Sequence, residues 1–254
     1  MTDTNNPPLL EVRNLRVEFP TRRGTLLAVD DVSFDIAPGE VLGVVGESGA
    51  GKSLTGSAII GLLEPPGHIA GGEIYLNGAR IDGLDFESMR HIRGKKIGTI
   101  FQDPLTSLDP LFRVGEQLIE TIRTHLPLDE KQARARAISL LADVGIPAPE
   151  KRIDAYPHEF SGGMRQRVVI ALALAAEPDL VIADEPTTAL DVSVQAQIID
   201  VLKKLCQDRG TAVMLITHDM GVIAETADRV AVMYLGKIVE MADTAALLDR
   251  KSVV

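Results

Sequence analysis

The segment GESGAGKS, residues 46–53, decides the fold of this 254-residue chain. It matches the pattern G-x-x-x-x-G-K-[ST], and it follows a nearly continuous apolar run at residues 41–45. Such a run is typical of a strand buried on both faces, and residues 52–63 predict a helix that Pro65 stops. Glycines let the turn curl, so that successive N–H groups and the positive end of the helix face an anion. The motif therefore predicts a phosphate-binding turn in an α/β fold.

Several positions of this motif have a predicted task at a bound nucleotide. The Lys52 ammonium would face the β- and γ-phosphates, an interaction of about 4 kcal/mol at about 4 Å with an effective dielectric constant near 20. The Ser53 hydroxyl would bind Mg²⁺. The alternative is an accidental glycine-rich turn, and the flanking strand and helix argue against it. The residues predicted to line the phosphate site are Gly46, Glu47, Ser48, Gly49, Ala50, Gly51, Lys52, Ser53 and Leu54.

Residues 180–185, LVIADE, form an apolar strand that ends in two carboxylates. Asp184 is predicted at the Mg²⁺ side of the phosphates, and Glu185 would polarise a water for in-line attack on the γ-phosphate. The alternative is a pair of acids that merely end a strand. The phosphate-binding motif upstream favours the catalytic interpretation.

Two polar residues follow predicted strands. His218, after residues 212–216, would contact the γ-phosphate or orient Glu185 and its water, although a lone histidine is more often structural. Gln102, after residues 97–101, lies at the mouth of a parallel sheet, where ligands gather. The alternative for Gln102 is a solvated loop residue.

Ser161 and Phe19 complete the set of candidate ligand contacts. Ser161, followed by Gly162 and Gly163, is predicted to begin a helix, and such a start suits a phosphate as well as a plain helix cap. Phe19 would stack on a base or belong to the core.

Composition excludes several other classes of protein. Apolar residues make up 45% and charged residues 24%, which excludes a disordered or collagen-like chain. The net charge of −10 argues against a nucleic-acid partner. The single cysteine, Cys206, excludes an internal disulfide and a cysteine metal cluster. No apolar run approaches the roughly 18 residues of a membrane span, and residues 1–8 lack a signal core, so a cytosolic chain that meets membranes only through partners is expected.

Strands alternate with helices along the rest of the chain, which indicates a largely parallel sheet. Broken alternation at residues 10–19 and 29–36 predicts two antiparallel strands, and Asp129 is a predicted N-cap within a helical middle. Further strands are predicted at 73–76, 97–101, 180–183, 212–216, 230–234 and 238–241, the last two as a hairpin, and further helices at 114–145, 161–176 and about 194–205.

Together these motifs resemble the nucleotide-binding subunit of ATP-binding cassette (ABC) transporters over about residues 9–248. Gln102 matches the Q-loop glutamine, FSGGM at 160–164 the signature, ALD at 189–191 the D-loop and His218 the switch histidine. Phe160 and Met164 replace the ends of the common Leu-Ser-Gly-Gly-Gln signature. The resemblance implies a P-loop NTPase cassette, an α/β fold with a mixed, mostly parallel core, an N-terminal antiparallel part and an inserted helical subdomain. It implies one domain over 1–254, with the subdomain at about 103–178.

The sequence is most similar to the oligopeptide, dipeptide and nickel importer branch. The stretches FQDPLTSLDP at 101–110, YPHEFSGGM at 156–164 and ADEPTTALD at 183–191 carry this similarity. The branch usually continues with a Pro-rich, cysteine-containing tail, and the sequence ends at Val254 without one.

The resemblance also implies a function: an Mg²⁺-dependent ATPase that energises a peptide importer from the cytoplasmic face of the inner membrane. Two cassettes, identical or different, would close head to tail around two ATP molecules, with Ser161 and Gly163 of one facing the phosphates of the other and Asp191 linking the sites. Glu185, His218 and Gln102 would act in hydrolysis, Ser53, Gln102 and Asp184 would hold Mg²⁺, and Phe19 would stack on adenine. The implied partners are two transmembrane permeases, the second cassette and, indirectly, a substrate-binding protein, with no nucleic acid. The alternatives are a nickel or glutathione importer, an exporter, a non-catalytic regulator and a soluble non-transport ABC ATPase.

Overall fold

The computed structural model describes residues 7–187 and 192–249, and the chain divides into two compact units. Unit 1 joins the residues up to Arg90 with those from Ala212 onward, and unit 2 spans His91–Thr211. Segment 103–178, predicted as a helical subdomain, falls inside unit 2, and its boundaries stay a prediction. Strands and helices are numbered below in chain order.

The N-terminal part of unit 1 is an antiparallel sheet with the strand order β2-β1-β4-β5. Strand β4 begins earlier than its apolar pattern predicts, because it continues through a glycine pair. Gly72 has a φ of 93°, and a Cβ there would lie 2.5 Å from the Asn14 carbonyl oxygen. This glycine therefore lets β4 pass an irregularity in the pairing with β1. The strands are β1 (Leu10–Thr21), β2 (Gly24–Ile36), β4 (His68–Leu76) and β5 (Ala79–Arg80).

A second group of strands in unit 1 surrounds β3, which pairs in parallel with β8 on one side and β9 on the other. Residues 41–45 of β3 are all buried, as the apolar run predicts. The predicted hairpin is confirmed by the antiparallel pairing of β9 with β10. The strands are β3 (Val41–Gly46), β8 (Ala212–Ile216), β9 (Arg229–Tyr234) and β10 (Lys237–Asp243).

The helices of unit 1 begin with α1, directly after the glycine-rich motif. This helix ends at Ile59, earlier than predicted, because Gly61 adopts a φ of 62° and the Leu62 N–H donates to the Ser57 carbonyl oxygen at 2.8 Å. Such a glycine turn ends a helix before any proline is reached. The helices are α1 (Lys52–Ile59), α2 (Phe86–Ile92), α9 (Met220–Thr226) and α10 (Thr244–Asp249).

Unit 2 combines a parallel strand pair with a packed set of helices. The helical middle predicted at 114–145 is two helices, because Pro127 interrupts it. Asp129 caps the second helix, accepting from the Gln132 N–H at 2.8 Å, which confirms the predicted N-cap. The elements are β6 (Ile97–Ile100), α3 (Pro104–Ser107), α4 (Val114–His125), α5 (Glu130–Asp143), α6 (Pro149–Arg152), a 3₁₀ turn (Pro157–Glu159), α7 (Gly162–Ala173), β7 (Leu180–Asp184) and α8 (Val192–Arg209).

Cys206 is buried in α8, and burial raises the pKa of its thiol to about 12. Within residues 7–187 and 192–249, no helix combines the length and the apolar character needed to cross a membrane.

Candidate functional site

The glycine-rich turn of unit 1 joins the end of β3 to the start of α1 and rests on neighbouring backbone. Gly46, Gly49 and Gly51 have φ angles of 153°, 80° and 98°, which side chains rarely adopt. A Cβ on Gly46 would overlap the Met233 carbonyl, and one on Gly51 would lie 2.9 Å from the Ala28 carbonyl oxygen. The close packing on β9 and β2 therefore fixes the shape of the turn.

The outer side of the same turn is open. Residues 47–49 and Ser53 are exposed, and no described atom lies within 4 Å of a Cβ built on Gly49. No described side chain caps α1, and its first turn holds no acidic residue. The positive end of α1 is therefore not neutralised by a carboxylate of the helix itself, which suits an incoming anion.

Lys52 brings a cation to this turn from a buried position. The residue is 6% exposed, and its Nζ donates to the carbonyl oxygens of Gly46 at 2.9 Å and Glu47 at 3.0 Å. These bonds hold the ammonium over the turn. A buried cation combined with a glycine-rich turn that is exposed at residues 47–49 fits the phosphates of a nucleotide.

In unit 2, the parallel pairing of β6 and β7 brings Gln102 and Glu185 together beyond the ends of the two strands. The Gln102 Nε2 donates to the Glu185 Oε2 at 3.1 Å, a contact that the sequence did not predict. Glu185 is half-buried, and its φ of 44° is unusual for a residue with a side chain. Strained backbone of this kind is concentrated at functional sites. Asp184, also half-buried, is the last residue of β7.

Each candidate metal ligand has donor chemistry that suits Mg²⁺. In the described part of the chain, no three or more His, Cys, Asp or Glu residues are grouped to hold a metal ion. The Ser53 hydroxyl, the Asp184 carboxylate and the Gln102 amide each offer the oxygen that Mg²⁺ prefers. Mg²⁺ commonly takes few protein ligands and completes its shell with phosphates and water, so an all-protein cage is not required.

Ser161 begins α7 as predicted, and its hydroxyl accepts from the Met164 N–H at 3.3 Å. Ser161 and Gly162 are exposed, and Gly163 is half-buried. Just before them, Phe160 is buried beneath Arg152, whose guanidinium lies 5.6 Å from the ring centroid. The helix cap is thereby confirmed, while the role of this segment at a phosphate stays a prediction.

The remaining predicted residues lie at the ends of strands or outside the described chain. His218 is exposed two residues after β8, beside Thr217, whose N–H donates to the Val44 carbonyl oxygen at 3.2 Å. Phe19 is half-buried near the end of β1. Asp191 of the predicted D-loop lies outside the described residues.

Three residues that lie outside the glycine-rich motif in sequence but contact its turn were not predicted from the sequence. They are Met233, Ala28 and Gly236. The Gly236 N–H donates to the Ala50 carbonyl oxygen at 3.1 Å, which ties the β9–β10 turn to the glycine-rich motif. These contacts are made by backbone atoms, so the residue types at these positions do not predict them. The one sequence signal for these contacts is the Leu-Gly pair at 235–236. It predicts the turn between β9 and β10 but not that this turn contacts the glycine-rich motif.

A glycine-rich turn with a buried lysine, set between a buried parallel strand and a helix, defines a P-loop nucleotide-binding fold. The family model described as ABC transporter matches residues 29–188, more than half of the sequence. The chain belongs to the ABC transporter family.

Curated relatives are similar over most of the chain. The oligopeptide transport ATP-binding protein OppD of Bacillus subtilis is 54% identical over 233 residues, which cover 91% of this chain and 65% of that protein. The dipeptide transport ATP-binding protein DppD of the same organism is 51% identical, covering 92% and 70%. DppD of Escherichia coli is 47% identical, covering 94% and 73%. The chain thus spans somewhat less than two thirds of the length of this OppD.

Solved cassettes share the fold. The ATP-binding cassette MJ0796, in a dimeric post-hydrolysis state bound to ADP and Pi, aligns with a TM-score of 0.83 at 29% identity, covering 92% of this chain and 98% of that one. The cbiO1 protein of Clostridium perfringens, part of the transporter complex cbiONQ, aligns with a TM-score of 0.81 at 28% identity, covering 97% and 92%. These likenesses confirm the predicted cassette fold.

Proposed function

We propose that this chain is the ATP-hydrolysing subunit of a membrane importer for peptides. The observation that carries the proposal is the buried Lys52, whose ammonium is held over an open turn. The glycines of this turn pack closely against the backbone of β9 and β2. The names of the OppD and DppD relatives, which refer to oligopeptide and dipeptide transport, support the choice of cargo class.

Binding would begin at the phosphates. Lys52 would exchange its bonds to the Gly46 and Glu47 carbonyls for the β- and γ-phosphates, while the N–H groups of the turn orient the chain of phosphates. Ser53, Asp184 and Gln102 would hold Mg²⁺. The ion, when bound, would neutralise charge on the phosphate oxygens.

Hydrolysis would depend on Glu185 as the general base. Its carboxylate would take a proton from the attacking water as the water oxygen bonds to the γ-phosphorus and the bond to the leaving ADP oxygen breaks. The Gln102 amide donates to one carboxylate oxygen, and this bond would orient the base. His218 would contact the γ-phosphate.

A second cassette would complete each site. Ser161, Gly162 and Gly163, an exposed helix start, would face the γ-phosphate bound by the partner cassette, and Asp191 would link the two sites. The dimeric state of the solved cassette bound to ADP and Pi supports this arrangement.

Two permeases would dock beside Gln102, which would place the subunit at the cytoplasmic face of the inner membrane. The segment around it carries large apolar side chains with high exposure: Phe101 45%, Leu111 80% and Phe112 52%. A contiguous exposed apolar patch is typical of an interaction surface, so these side chains are candidates for the contact with the permeases. A substrate-binding protein would act through the permeases, and the net charge of −10 supports the absence of a nucleic-acid partner.

Glu185→Gln tests the catalytic proposal. Because an amide cannot accept the proton of the water, we expect ATP turnover to fall at least about 100-fold while Mg-ATP affinity is kept. Steady-state phosphate release and calorimetric binding measure the two effects. Glu120→Gln, an exposed glutamate on α4, is the matched control and should leave both unchanged.

Two further outcomes separate the parts of the proposal. Near-normal hydrolysis by Glu185→Gln would contradict the role of Glu185 as the general base. Unchanged ATP affinity in Lys52→Ala would contradict the proposed nucleotide site itself. Purification of the tagged chain from native membranes tests transport, and we expect two integral permeases to accompany it. Recovery with soluble proteins alone would contradict the importer.

A further inference from the structure

Phe19 occupies a defined place among three strand segments of unit 1. It pairs with Leu26 across β1 and β2, and Glu18 pairs with His68 on the other side. One step further along this antiparallel register, Gly67 falls opposite Phe19. In the strand register, the half-buried Phe19 therefore lies between the exposed Leu26 of β2 and the turn that leads into β4.

Gly67 is in direct contact with the ring. A Cβ at Gly67 would lie 2.5 Å from the Phe19 Cε1 and 2.6 Å from its Cζ, closer than non-bonded Cβ contacts come in proteins. It would also lie 2.9 Å from the Glu64 carbonyl oxygen, to which the Gly67 N–H donates at 2.9 Å. The turn and the ring therefore leave no room for a side chain.

The backbone of Gly67 does not by itself demand glycine. Gly67 is not among the residues with positive φ, unlike Gly61 and Gly72 on either side of it. An alanine could adopt this backbone without strain, so the contact with the ring and the turn is the reason that a side chain is excluded.

We infer that Gly67 is a positioning residue for the nucleotide base. By lacking a side chain, it lets the 64–67 turn close on one edge of Phe19 and fixes the ring that would stack on adenine. The inference rests on the proposed nucleotide-binding function. A side chain at position 67 would push the ring aside and weaken base binding, while the phosphate contacts of the glycine-rich motif would remain.

Gly67→Ala, compared with two ligands, tests the inference on the full chain. Mg-ATP and magnesium tripolyphosphate both carry three phosphates, but only ATP has a base. We expect Gly67→Ala to raise the Kd for ATP about tenfold, in the range of a lost base–aromatic stack, and to change the Kd for tripolyphosphate less than about twofold. Titration calorimetry measures both.

Gly83→Ala is the matched control, because no described atom lies within 4 Å of a Cβ there and its φ is not positive. It should leave both affinities unchanged. Phe19→Ala should weaken ATP binding as Gly67→Ala does. The double variant should bind ATP no more weakly than either single variant, since both changes remove the same stack of the ring on the base. If Gly67→Ala does not fold, Phe19→Leu in that background should restore folding in part, because leucine lacks the ring atoms that overlap while the contact with the Glu64 carbonyl oxygen remains.

Several results would overturn the inference. If Gly67→Ala lost affinity equally for ATP and for tripolyphosphate, Gly67 would have only a structural role. If the losses of ATP affinity were additive in the double variant, Gly67 would not act through Phe19. A folding defect of Gly67→Ala that Phe19→Leu does not relieve would do the same. Failure of the proposed function is recognised separately, by a Lys52→Ala variant that binds both ligands normally.

Discussion

Two glycine-rich helix starts in the described part of the chain, at α1 and α7, are built in different ways. At α1, the N-cap is Gly51 with a φ of 98°, and no described side chain caps the helix. At α7, the N-cap is Ser161 with an ordinary φ of −65°, and its hydroxyl accepts from the Met164 N–H. The first helix start has no side-chain cap and is held in place by neighbouring strands, and the second is a conventional cap.

The glycines differ in the same manner. Gly46 and Gly51 press against the backbone carbonyls of Met233 and Ala28, which cannot move without disturbing β9 and β2. A Cβ on Gly163 would meet a methyl carbon of Val194 at 2.8 Å, which is a side-chain atom and not backbone. The backbone of neighbouring strands therefore restricts the α1 start, whereas a single side chain of the fold restricts Gly163 at the α7 start.

Gly46→Ala should have the largest effect. The positive φ and the overlap with the Met233 carbonyl together should lower the free energy of unfolding by about 3 kcal/mol. Mg-ATP binding should be lost because the turn must move. Urea denaturation and calorimetry check the two effects.

Gly49→Ala is the control for this change. Its φ of 80° is also unfavourable, but no described atom lies within 4 Å of the new Cβ. We expect a loss of about 1 kcal/mol from backbone strain alone. Equal losses in the two variants would show that the close approach to β9 is not the reason for glycine at position 46.

Ser161 variants should have an intermediate effect and separate capping from ligand contact. Ser161→Ala removes the cap and should lower the free energy of unfolding by about 1 kcal/mol. Ser161→Asp keeps a cap oxygen and should restore stability, but its charge would repel the partner's γ-phosphate, so ATP turnover should fall at least tenfold. Denaturation and phosphate release measure these effects. Full turnover by Ser161→Asp would contradict a phosphate contact at this helix start.

The smallest effect is expected from the surface ion pair near the segment that precedes α7. Arg134 donates two hydrogen bonds to Asp154, at 2.7 and 3.0 Å, and they hold the pKa of Asp154 below its ordinary value. Both side chains are over 40% exposed, so Asp154→Asn should lower the free energy of unfolding by only about 0.5 kcal/mol.

This difference should depend on pH. A carboxyl whose folded pKa is depressed stabilises the fold above its unfolded pKa, about 3.9, and the benefit is lost as the pH falls through the folded pKa. Urea denaturation of both proteins in steps below pH 5 should show them converging. If the difference in unfolding free energy between the unmodified chain and Asp154→Asn stayed constant below pH 5, the effect of Asp154 would come from packing and not from its charge.

Local chemistry explains what the sequence could predict. The buried run of β3, the Asp129 and Ser161 caps and the β9–β10 hairpin each depend on residues within a few positions of one another, so pattern alone predicts them. The order of motifs likewise indicated the family. The 114–145 segment is helical as predicted, and residues 126–129, which include Pro127 and the predicted cap Asp129, divide it into two helices.

Contacts between distant parts of the chain could not be predicted. The Gln102–Glu185 bond joins residues 83 positions apart, and it depends on which strands become neighbours. The close approaches of Met233 to Gly46 and of Phe19 to Gly67 depend on sheet twist and loop path, which residue types do not encode one by one.

The buried thiol of Cys206 has a practical consequence. With a pKa of about 12, it is ionised in roughly one molecule in ten thousand at pH 8, against about a quarter for an ordinary thiol. Alkylating reagents that require the thiolate will therefore pass over it in the folded chain. A cysteine introduced on the surface, for example Glu120→Cys on α4, can carry a single fluorescent or spin label without removal of the native one.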